Sequence, residues 1–182
     1  MSINAASTLE EIAFTLCTAL YEEGVTAVLT GGSAATLYAP NQYQSRDLDF
    51  VIQFQSDRAN GSEALRNLGF TPESNIYRSE QTPFTVDFID GPIQIGDEII
   101  STWAELKKEN SILFLLTPTD SVRDRLAGFY FWKDYANLEV ALSIALNQNI
   151  DLDLVKTWSQ KENSLEAFEF FLQRLERAKS SA

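Results

Sequence analysis

Apolar positions follow a helical spacing at the start of the chain and form shorter, strand-like runs after it. An apolar stripe over residues 9–20 predicts a first helix that ends at Gly24. The pattern then predicts a short helix over 34–39, for which Ser33 is a cap candidate, and a longer helix that ends at Gly69. Residues 96–106 fit either a strand or a helix. Strands are predicted over 25–30, 46–54, 84–90 and 111–116, with a short one around 76–78.

From Thr117 onward every apolar pattern is helical. Thr117 and Pro118 are typical of a helix start, because threonine accepts free backbone N–H groups and proline needs no N–H partner there. Helices are predicted over 119–132, 135–147, 151–160 and 164–179. We therefore predict an α/β (α+β) protein. A mixed β-sheet core flanked by helices would span residues 1–116, and a helical C-terminal part would span residues 117–182.

The chain of 182 residues contains no histidine and one cysteine, Cys17. This composition excludes Ser-His-Asp and Cys-His catalysis, an intramolecular disulfide and every metal site with histidine ligands. Cys17 falls in the stripe of the first helix, so we expect it to be a buried structural thiol. Any metal would need oxygen ligands, which favours Mg²⁺ or Mn²⁺.

The formal net charge of the chain is −12. Such a field repels nucleic acid and anionic membranes unless a local basic patch or bound cations offset it. We therefore expect no DNA partner and no membrane association. No apolar run approaches the ~18 residues of a transmembrane helix, and the first residues lack a signal-peptide pattern, so the expected location is the cytoplasm.

Three aspartates interrupt apolar strand patterns. Asp47 and Asp49 are two residues apart in one predicted strand, so their side chains project from the same face. Two carboxylates this close repel each other unless a cation lies between them. A third carboxylate, from Asp87 in a later strand, would allow two metal ions to bind. A solvated edge strand is the alternative explanation for the Asp-x-Asp pattern.

A turn of Gly31, Gly32 and Ser33 precedes the Asp-x-Asp strand and opens a short helix. The glycines allow the backbone to approach a phosphate closely, and free N–H groups at a helix start attract its charge. Ser33 would add a hydroxyl donor. The order of these motifs along the chain favours an active site over a structural edge.

The segments GGSAATLY, RDLDFVI and VDF lie in this order within residues 24–90. They resemble the nucleotidyltransferase superfamily with the DNA polymerase β-type fold. Among its subgroups, the sequence is most similar to small bacterial proteins related to the abortive-infection, type IV toxin–antitoxin nucleotidyltransferases. The resemblance implies transfer of a nucleoside monophosphate from a nucleoside triphosphate (NTP) to an acceptor hydroxyl. It also implies that Asp47, Asp49 and Asp87 are catalytic and hold Mg²⁺ or Mn²⁺, and that Gly31, Gly32 and Ser33 bind the triphosphate.

Toxin-type relatives also carry a basic residue followed by leucine early in a C-terminal helix, and an aspartate several residues later. Arg125 and Asp134 are the matching positions, with arginine where lysine is usual, and the resemblance implies that Arg125 binds nucleotide. Arg46 could contact phosphate or neutralise the acids, and an ordinary surface arginine is an equal alternative. A structural ion pair between Arg123 and Asp134, or an N-cap at Asp134, is the favoured alternative to a functional role.

The sequence leaves the acceptor open, since RNA, a protein side chain or a small molecule would each fit the resemblance. Two other functions are retained as hypotheses. One is a catalytically weak binding or regulatory protein with this fold, as half of a toxin–antitoxin-like pair. The other is a structural α/β domain with acidic strand edges. A partner protein or a homo-oligomer is compatible with each, and the aromatic run 128–132 is expected in the core or at an interface.

Overall fold

The computed structural model describes residues 3–41 and 43–180, whereas the two predicted domains also include residues outside these ranges. Seven helices are found in the described residues: α1 Leu9–Glu22, α2 Gly31–Tyr38, α3 Gly61–Asn67, α4 Pro118–Trp132, α5 Tyr135–Asn147, α6 Leu152–Lys161 and α7 Leu165–Ser180. The strands are β1 Val25–Thr30, β2 Asp47–Gln55, β3 Thr71–Glu73, β4 Ile76–Arg78, β5 Thr85–Asp90, β6 Ile93–Ile95, β7 Glu98–Ile100, β8 Ala104–Lys108 and β9 Ser111–Leu115.

Seven of the strands form one mixed sheet in the order β3-β4-β5-β2-β1-β9-β8. The pairs β2–β5 and β1–β9 are parallel, and the other pairs in the sheet are antiparallel. Strands β6 and β7 form a separate antiparallel hairpin. The predicted fold class, a mixed sheet flanked by helices and followed by a helical part, is therefore confirmed.

The two faces of the central sheet are covered by different helices. Helix α1 packs against β1 and β9, and its Leu20 lines a small cavity together with Ile52 of β2. Leu48 and Phe50, which share a face of β2 with Ile52, are fully buried. Helix α2 packs against β1 and β2 and also contacts α4 and α5.

Cys17 of α1 is buried, as the apolar stripe predicted. Burial raises the pKa of its thiol to about 11. The thiol donates to the carbonyl oxygen of Ala27 at 3.6 Å and accepts the N–H of Phe114 at 3.4 Å. Cys17 is therefore a protonated core group that joins α1 to two strands of the sheet.

The start of α4 follows the prediction closely. The hydroxyl of Thr117 accepts the backbone N–H of Asp120 at 3.0 Å, and Pro118 takes the first helical position. The last three helices also lie at the predicted positions. The division into two domains stays a prediction.

The start of α2 differs from the prediction. The helix begins at Gly31, with Thr30 as the N-cap residue, so the predicted capping role of Ser33 is wrong. Gly31 has a φ of +60°, which lets the chain turn into a helix directly after β1. Residues 96–106, for which both a strand and a helix were considered, contain strand β7 and the first three residues of β8. Strands β3 and β6 were not predicted.

No helix within residues 3–41 and 43–180 is both long and apolar enough to cross a membrane.

Candidate functional site

The register of the central strands brings the three predicted acids to one place. Asp49 of β2 and Asp87 of β5 are direct partners in the parallel pair, and Asp47 is the partner of Thr85. Partners in a parallel pair point to the same face, and residues two apart in a strand do too. The carboxylates of Asp47, Asp49 and Asp87 therefore project from one face of the sheet, at adjacent positions.

The opposite face explains why this register is fixed. Leu48, Phe50 and Val86 alternate with the acids along the same strands and are fully buried. A slip of either strand by one residue would move these side chains to the acid face and the carboxylates into the core. Hydrophobic burial on one face thus determines the position of the acids on the other.

Asp49 lies at the centre of the group and is half-buried. Burial raises the pKa of its carboxyl, and the nearby charges of Asp47 and Asp87 raise it further. Asp124 also raises it, whereas Arg125 lowers it. The electrostatic environment therefore opposes the charged form of Asp49, and a cation near the acids would relieve this opposition.

Thr85 is a further member of the group that the sequence interpretation missed. Its hydroxyl donates to the carboxylate of Asp47 across the β2–β5 pair. Thr85 precedes Asp87 by two residues, so the same two-residue alternation that identified Asp47 and Asp49 would have placed it on the acid face. Its hydroxyl orients the Asp47 side chain.

The backbone of Gly31 lies close to the carboxylate of Asp49. A Cβ atom built on Gly31 would lie 2.6 Å from Oδ2 of Asp49, in addition to the strain of its φ of +60°. Glycine is therefore required here both by the turn and by the neighbouring carboxylate.

Gly32 and Ser33 have local packing roles in the structure. A Cβ on Gly32 would lie 2.8 Å from the hydroxyl oxygen of Tyr43, so glycine lets the loop before β2 pack on α2. The buried hydroxyl of Ser33 donates to the carbonyl oxygen of Thr30 at 2.8 Å and accepts the N–H of Asp49 at 3.1 Å. Ser33 thereby fixes the backbone of Asp49, a positioning role that its place in the motif did not indicate.

Arg46 and Arg125 occupy different surroundings. Arg46 is exposed immediately before β2, and its carbonyl oxygen accepts the N–H of Thr85 at 3.3 Å. Arg125 lies on α4, with its guanidinium donating to Asp124 at 2.6 and 3.2 Å and to the side-chain oxygen of Asn137 at 2.9 Å. Of these two cations, Arg125 is the one whose charge acts on Asp49.

Asn137 connects Arg125 to the turn between α4 and α5. Its side-chain nitrogen donates to Asp134 at 2.8 Å, and a Cβ on Gly128 would lie 2.5 Å from that nitrogen. Asp134 accepts the N–H groups of Ala136 and Asn137 and is the N-cap of α5, which confirms the capping alternative. No sequence signal pointed to Asn137, because its contact with Arg125 depends on how two helices cross.

Arg123 contacts α4, α6 and strand β7 instead of the acids. Its guanidinium lies 2.8 Å from Asp120 and 3.2 Å from Glu98, and 5.3 Å from the centre of the Trp158 ring. An ion pair with Asp134 is therefore not formed, because α4 ends at Trp132 and the chain turns at Lys133, before Asp134.

The donor set suits a hard divalent cation, since it consists of carboxylate oxygens on one rigid face. Within the described part of the chain, however, no three carboxylate or thiol side chains are gathered closely enough to hold a metal ion. The backbone register places the acids at adjacent positions of the sheet, so a shared ion would require other side-chain rotamers.

No family model matches the sequence, and no curated protein is significantly similar to it. A solved structure of an antigenic nucleotidyltransferase-like protein from Paracoccidioides brasiliensis is similar to this chain, with a TM-score of 0.60. The two chains are 16% identical, and the match covers 92% of this chain and 94% of the other. This likeness shows a nucleotidyltransferase-like fold.

Proposed function

We propose that the protein is a metal-dependent nucleotidyltransferase that transfers a nucleoside monophosphate from an NTP to a hydroxyl acceptor. The observation that carries the proposal is the register of β2 and β5, which sets Asp87 beside Asp49 and on the same face as Asp47. The nucleotidyltransferase-like fold supports it. The raised pKa of Asp49 supports it as well, because carboxylates held together against their repulsion are typical of cation sites.

In the proposed reaction, the acceptor oxygen forms a bond with the α-phosphorus of the NTP. The bond from that phosphorus to the oxygen that bridges to the β-phosphate breaks, and pyrophosphate leaves with the electron pair. Bound Mg²⁺ or Mn²⁺ would lower the acceptor's pKa and neutralise charge on the leaving group. Asp47, Asp49 and Asp87 would hold the metal, and Asp87 is the candidate to receive the acceptor proton.

The chain's other residues would position the triphosphate around these acids. Gly31 would bring exposed backbone close to a phosphate, because the turn at its φ of +60° lies directly beside Asp49. Arg125 would contribute a positive charge from α4, held in place by Asp124 and Asn137. Arg46, exposed at the start of β2, is a second candidate for phosphate contact. Ser33 would act on the site through the backbone of Asp49.

The test is a transfer assay with α-³²P-labelled NTPs, Mg²⁺ or Mn²⁺, and whole-cell RNA and protein as acceptors. The wild-type protein should label one of these acceptor classes, and Asp49→Asn should reduce labelling about 1,000-fold, if the carboxylate contributes roughly 4 kcal/mol in the transition state. Asp90→Asn is the matched control, because Asp90 lies on the same strand as Asp87 but projects from the opposite face. Equal labelling by wild type and Asp49→Asn would contradict the proposal.

A second candidate function is that of a catalytically weak binding or regulatory protein, as half of a toxin–antitoxin-like pair. Two observations favour it over the enzyme: the described carboxylates are not gathered into a metal-binding set, and the hydroxyl of Ser33 is already engaged with protein groups. Metal-dependent NTP binding in calorimetry, without transfer of label to RNA, protein or small molecules, would select this function.

A further inference from the structure

The loop between α2 and β2 brings a tyrosine to the glycine turn of the candidate site. A Cβ atom built on Gly32 would lie 2.8 Å from the hydroxyl oxygen of Tyr43 and 3.2 Å from that of Ser45. Both hydroxyl oxygens therefore lie close to one point beside the first turn of α2. The proposed reaction gives no role to either residue.

The same turn connects this point to the acids. Gly31 directly precedes Gly32, and a Cβ atom built on Gly31 would lie 2.6 Å from Oδ2 of Asp49. Asp49 and Tyr43 therefore flank the first two residues of α2, whose Cα atoms are about 3.8 Å apart. The hydroxyl of Tyr43 is thus joined to the candidate active site by two close contacts with consecutive residues.

The hydroxyl of Ser45 is already engaged with protein groups. It donates to the carbonyl oxygen of Asp47 at 3.0 Å and accepts the N–H of Asp47 at 3.4 Å. The N–H of Ser45 donates to the hydroxyl of Thr36 at 2.8 Å. These bonds fasten the loop both to α2 and to the strand that carries the acids, so Ser45 has a structural role.

The hydroxyl of Tyr43, in contrast, is available to a ligand. In the part of the chain that the structure describes, it forms no hydrogen bond, whereas the buried Tyr38 donates to the carbonyl oxygen of Leu116 at 2.6 Å. The ring of Tyr43 is half-buried and packs against the core, and its N–H donates to the carbonyl oxygen of Ala39 at 3.2 Å. The protein therefore fixes the position of the ring and leaves the hydroxyl unpaired.

A phenolic hydroxyl at this point suits a phosphate oxygen. It is a hydrogen-bond donor that carries no charge. A triphosphate held by a metal at Asp49 would come close to the first turn of α2, where helix N–H groups attract phosphate. The N-cap residue, Thr30, makes no side-chain cap there, because its hydroxyl donates to the carbonyl oxygen of Asp49 at 3.2 Å. The hydroxyl of Tyr43 lies beside the same turn and would donate to the same phosphate.

We propose that Tyr43 binds the triphosphate of the NTP, with its hydroxyl donating to a phosphate oxygen at the first turn of α2. The assignment rests on the proposed function and adds a substrate-binding residue that belongs to neither the glycine turn nor the three acids. It also gives the loop between α2 and β2 a function, since this loop carries Tyr43 to the turn. Ser45 would keep the loop in place through Thr36 and Asp47.

Calorimetric titration of the full chain with Mg²⁺ tests this assignment, using each of the four NTPs and inorganic tripolyphosphate. Tyr43→Phe removes the hydroxyl and keeps the ring that packs against the core. Binding of NTP and of tripolyphosphate should both weaken about 10- to 100-fold, the range for loss of one hydrogen bond to a charged group. Tyr77→Phe is the matched control, because Tyr77 is also half-buried but packs on Phe88, on the face opposite Asp87.

The other outcomes overturn the assignment in distinguishable ways. If wild type binds NTP and Tyr43→Phe binds it equally well, the hydroxyl does not contact the substrate, and the proposed function stands. If Tyr43→Phe weakens binding of NTP alone, the hydroxyl contacts the nucleoside and not the phosphates. Tighter binding by Tyr43→Phe would mean that the hydroxyl obstructs the site. A lower melting temperature of Tyr43→Phe without ligand would assign the effect to loop packing. No metal-dependent NTP binding by wild type would remove the proposed function and this assignment together.

Discussion

Two groups of charges, both involving α4, are arranged on opposite principles. Around Arg123, which is 2% exposed, the cation faces Asp120 at 2.8 Å, Glu98 at 3.2 Å and the ring of Trp158. Burial raises the pKa of Asp49, and the neighbouring charges, which are mainly of the same sign, raise it further. The first group is balanced within the protein, and the second is not.

This difference separates a structural charge from a candidate functional one. The Arg123 group joins α4 to the β6–β7 hairpin, since Glu98 belongs to β7, so its presence is explained by the fold. The Asp49 group makes no comparable connection and costs stability at neutral pH. Groups whose electrostatics oppose folding are frequent at sites that bind a compensating ligand. The comparison therefore favours Asp49 as the candidate functional group and Arg123 as a structural one.

The largest effect, a loss of stability, is expected from removing the buried Arg123. Arg123→Ala would leave the buried Asp120 without its cation and the half-exposed Glu98 with Lys161 alone. The free energy of unfolding should fall by about 3–5 kcal/mol, as for other broken buried pairs. Urea denaturation measures this change.

Arg174→Ala is the control for that experiment. Arg174 forms an ion pair with the exposed Glu139 on the surface, and such pairs contribute at most about 1 kcal/mol. Equal losses in the two variants would show that Arg123 is not a structural centre, and the contrast between the two groups of charges would disappear.

An intermediate effect, on catalytic activity, is expected from removing the Arg125 side chain. Arg125→Ala should reduce kcat/KM for nucleotidyl transfer about 10- to 100-fold, since one charged hydrogen bond to a phosphate contributes roughly 1.5–3 kcal/mol. The pKa of Asp49 should rise further, because Arg125 is the nearby group that lowers it. Activity that requires the ionised carboxylate should then be lost at a higher pH than in wild type.

A pH–rate profile of Arg125→Ala and Arg125→Lys checks this prediction. The lysine variant keeps the positive charge, so its acid limb should lie closer to that of wild type. An acid limb in Arg125→Ala at the wild-type position would mean that Arg125 does not act on Asp49.

A smaller effect, a gain of stability, is expected when the Asp49 carboxylate is neutralised. The pKa of Asp49 is raised above its ordinary value of 3.8, so ionisation costs stability as the pH rises through that raised value. At pH 7 the free energy of unfolding of Asp49→Asn should therefore be about 0.5–2 kcal/mol higher than that of wild type. The advantage should shrink as the pH falls through the raised pKa and should disappear well below pH 3.8, where the carboxyl is protonated in both the folded and the unfolded state.

Urea denaturation across this pH range gives the difference directly. Asp90→Asn, an exposed change on the opposite face of β5, should show no comparable gain. A loss of stability in Asp49→Asn at pH 7 would contradict the view that this carboxylate is held against its own electrostatics.

The sequence was sufficient for those features of the site that depend on local periodicity. The two-residue spacing of Asp47 and Asp49 fixes their shared face, and the apolar residues between them fix which face is buried. The cap and proline at the start of α4 are likewise local signals. These features follow from neighbouring residues, so no knowledge of the tertiary structure was needed.

Other features depend on contacts between distant segments and could not be predicted from the sequence. The hydrogen bond from the N–H of Asp49 to Ser33 joins two elements and gives Ser33 a positioning role, while its expected contact with phosphate stays a prediction. The contact between Arg125 and Asn137 depends on the crossing of α4 and α5. The exposure of Phe131 and Trp132, in an aromatic run otherwise typical of a core, depends on where α4 ends.

The central claim is that Asp47, Asp49 and Asp87 share a divalent cation, and binding of Mn²⁺ tests it most directly. Titration of the protein with Mn²⁺, followed by electron paramagnetic resonance of the free ion, should show binding by wild type and by Asp90→Asn. Asp49→Asn and Asp87→Asn should lose it. Mn²⁺ should also raise the melting temperature of wild type and leave that of Asp49→Asn unchanged, since a ligand stabilises only the protein that binds it. Equal binding of Mn²⁺ by wild type and Asp49→Asn, or no binding by wild type with or without NTP, would contradict the account.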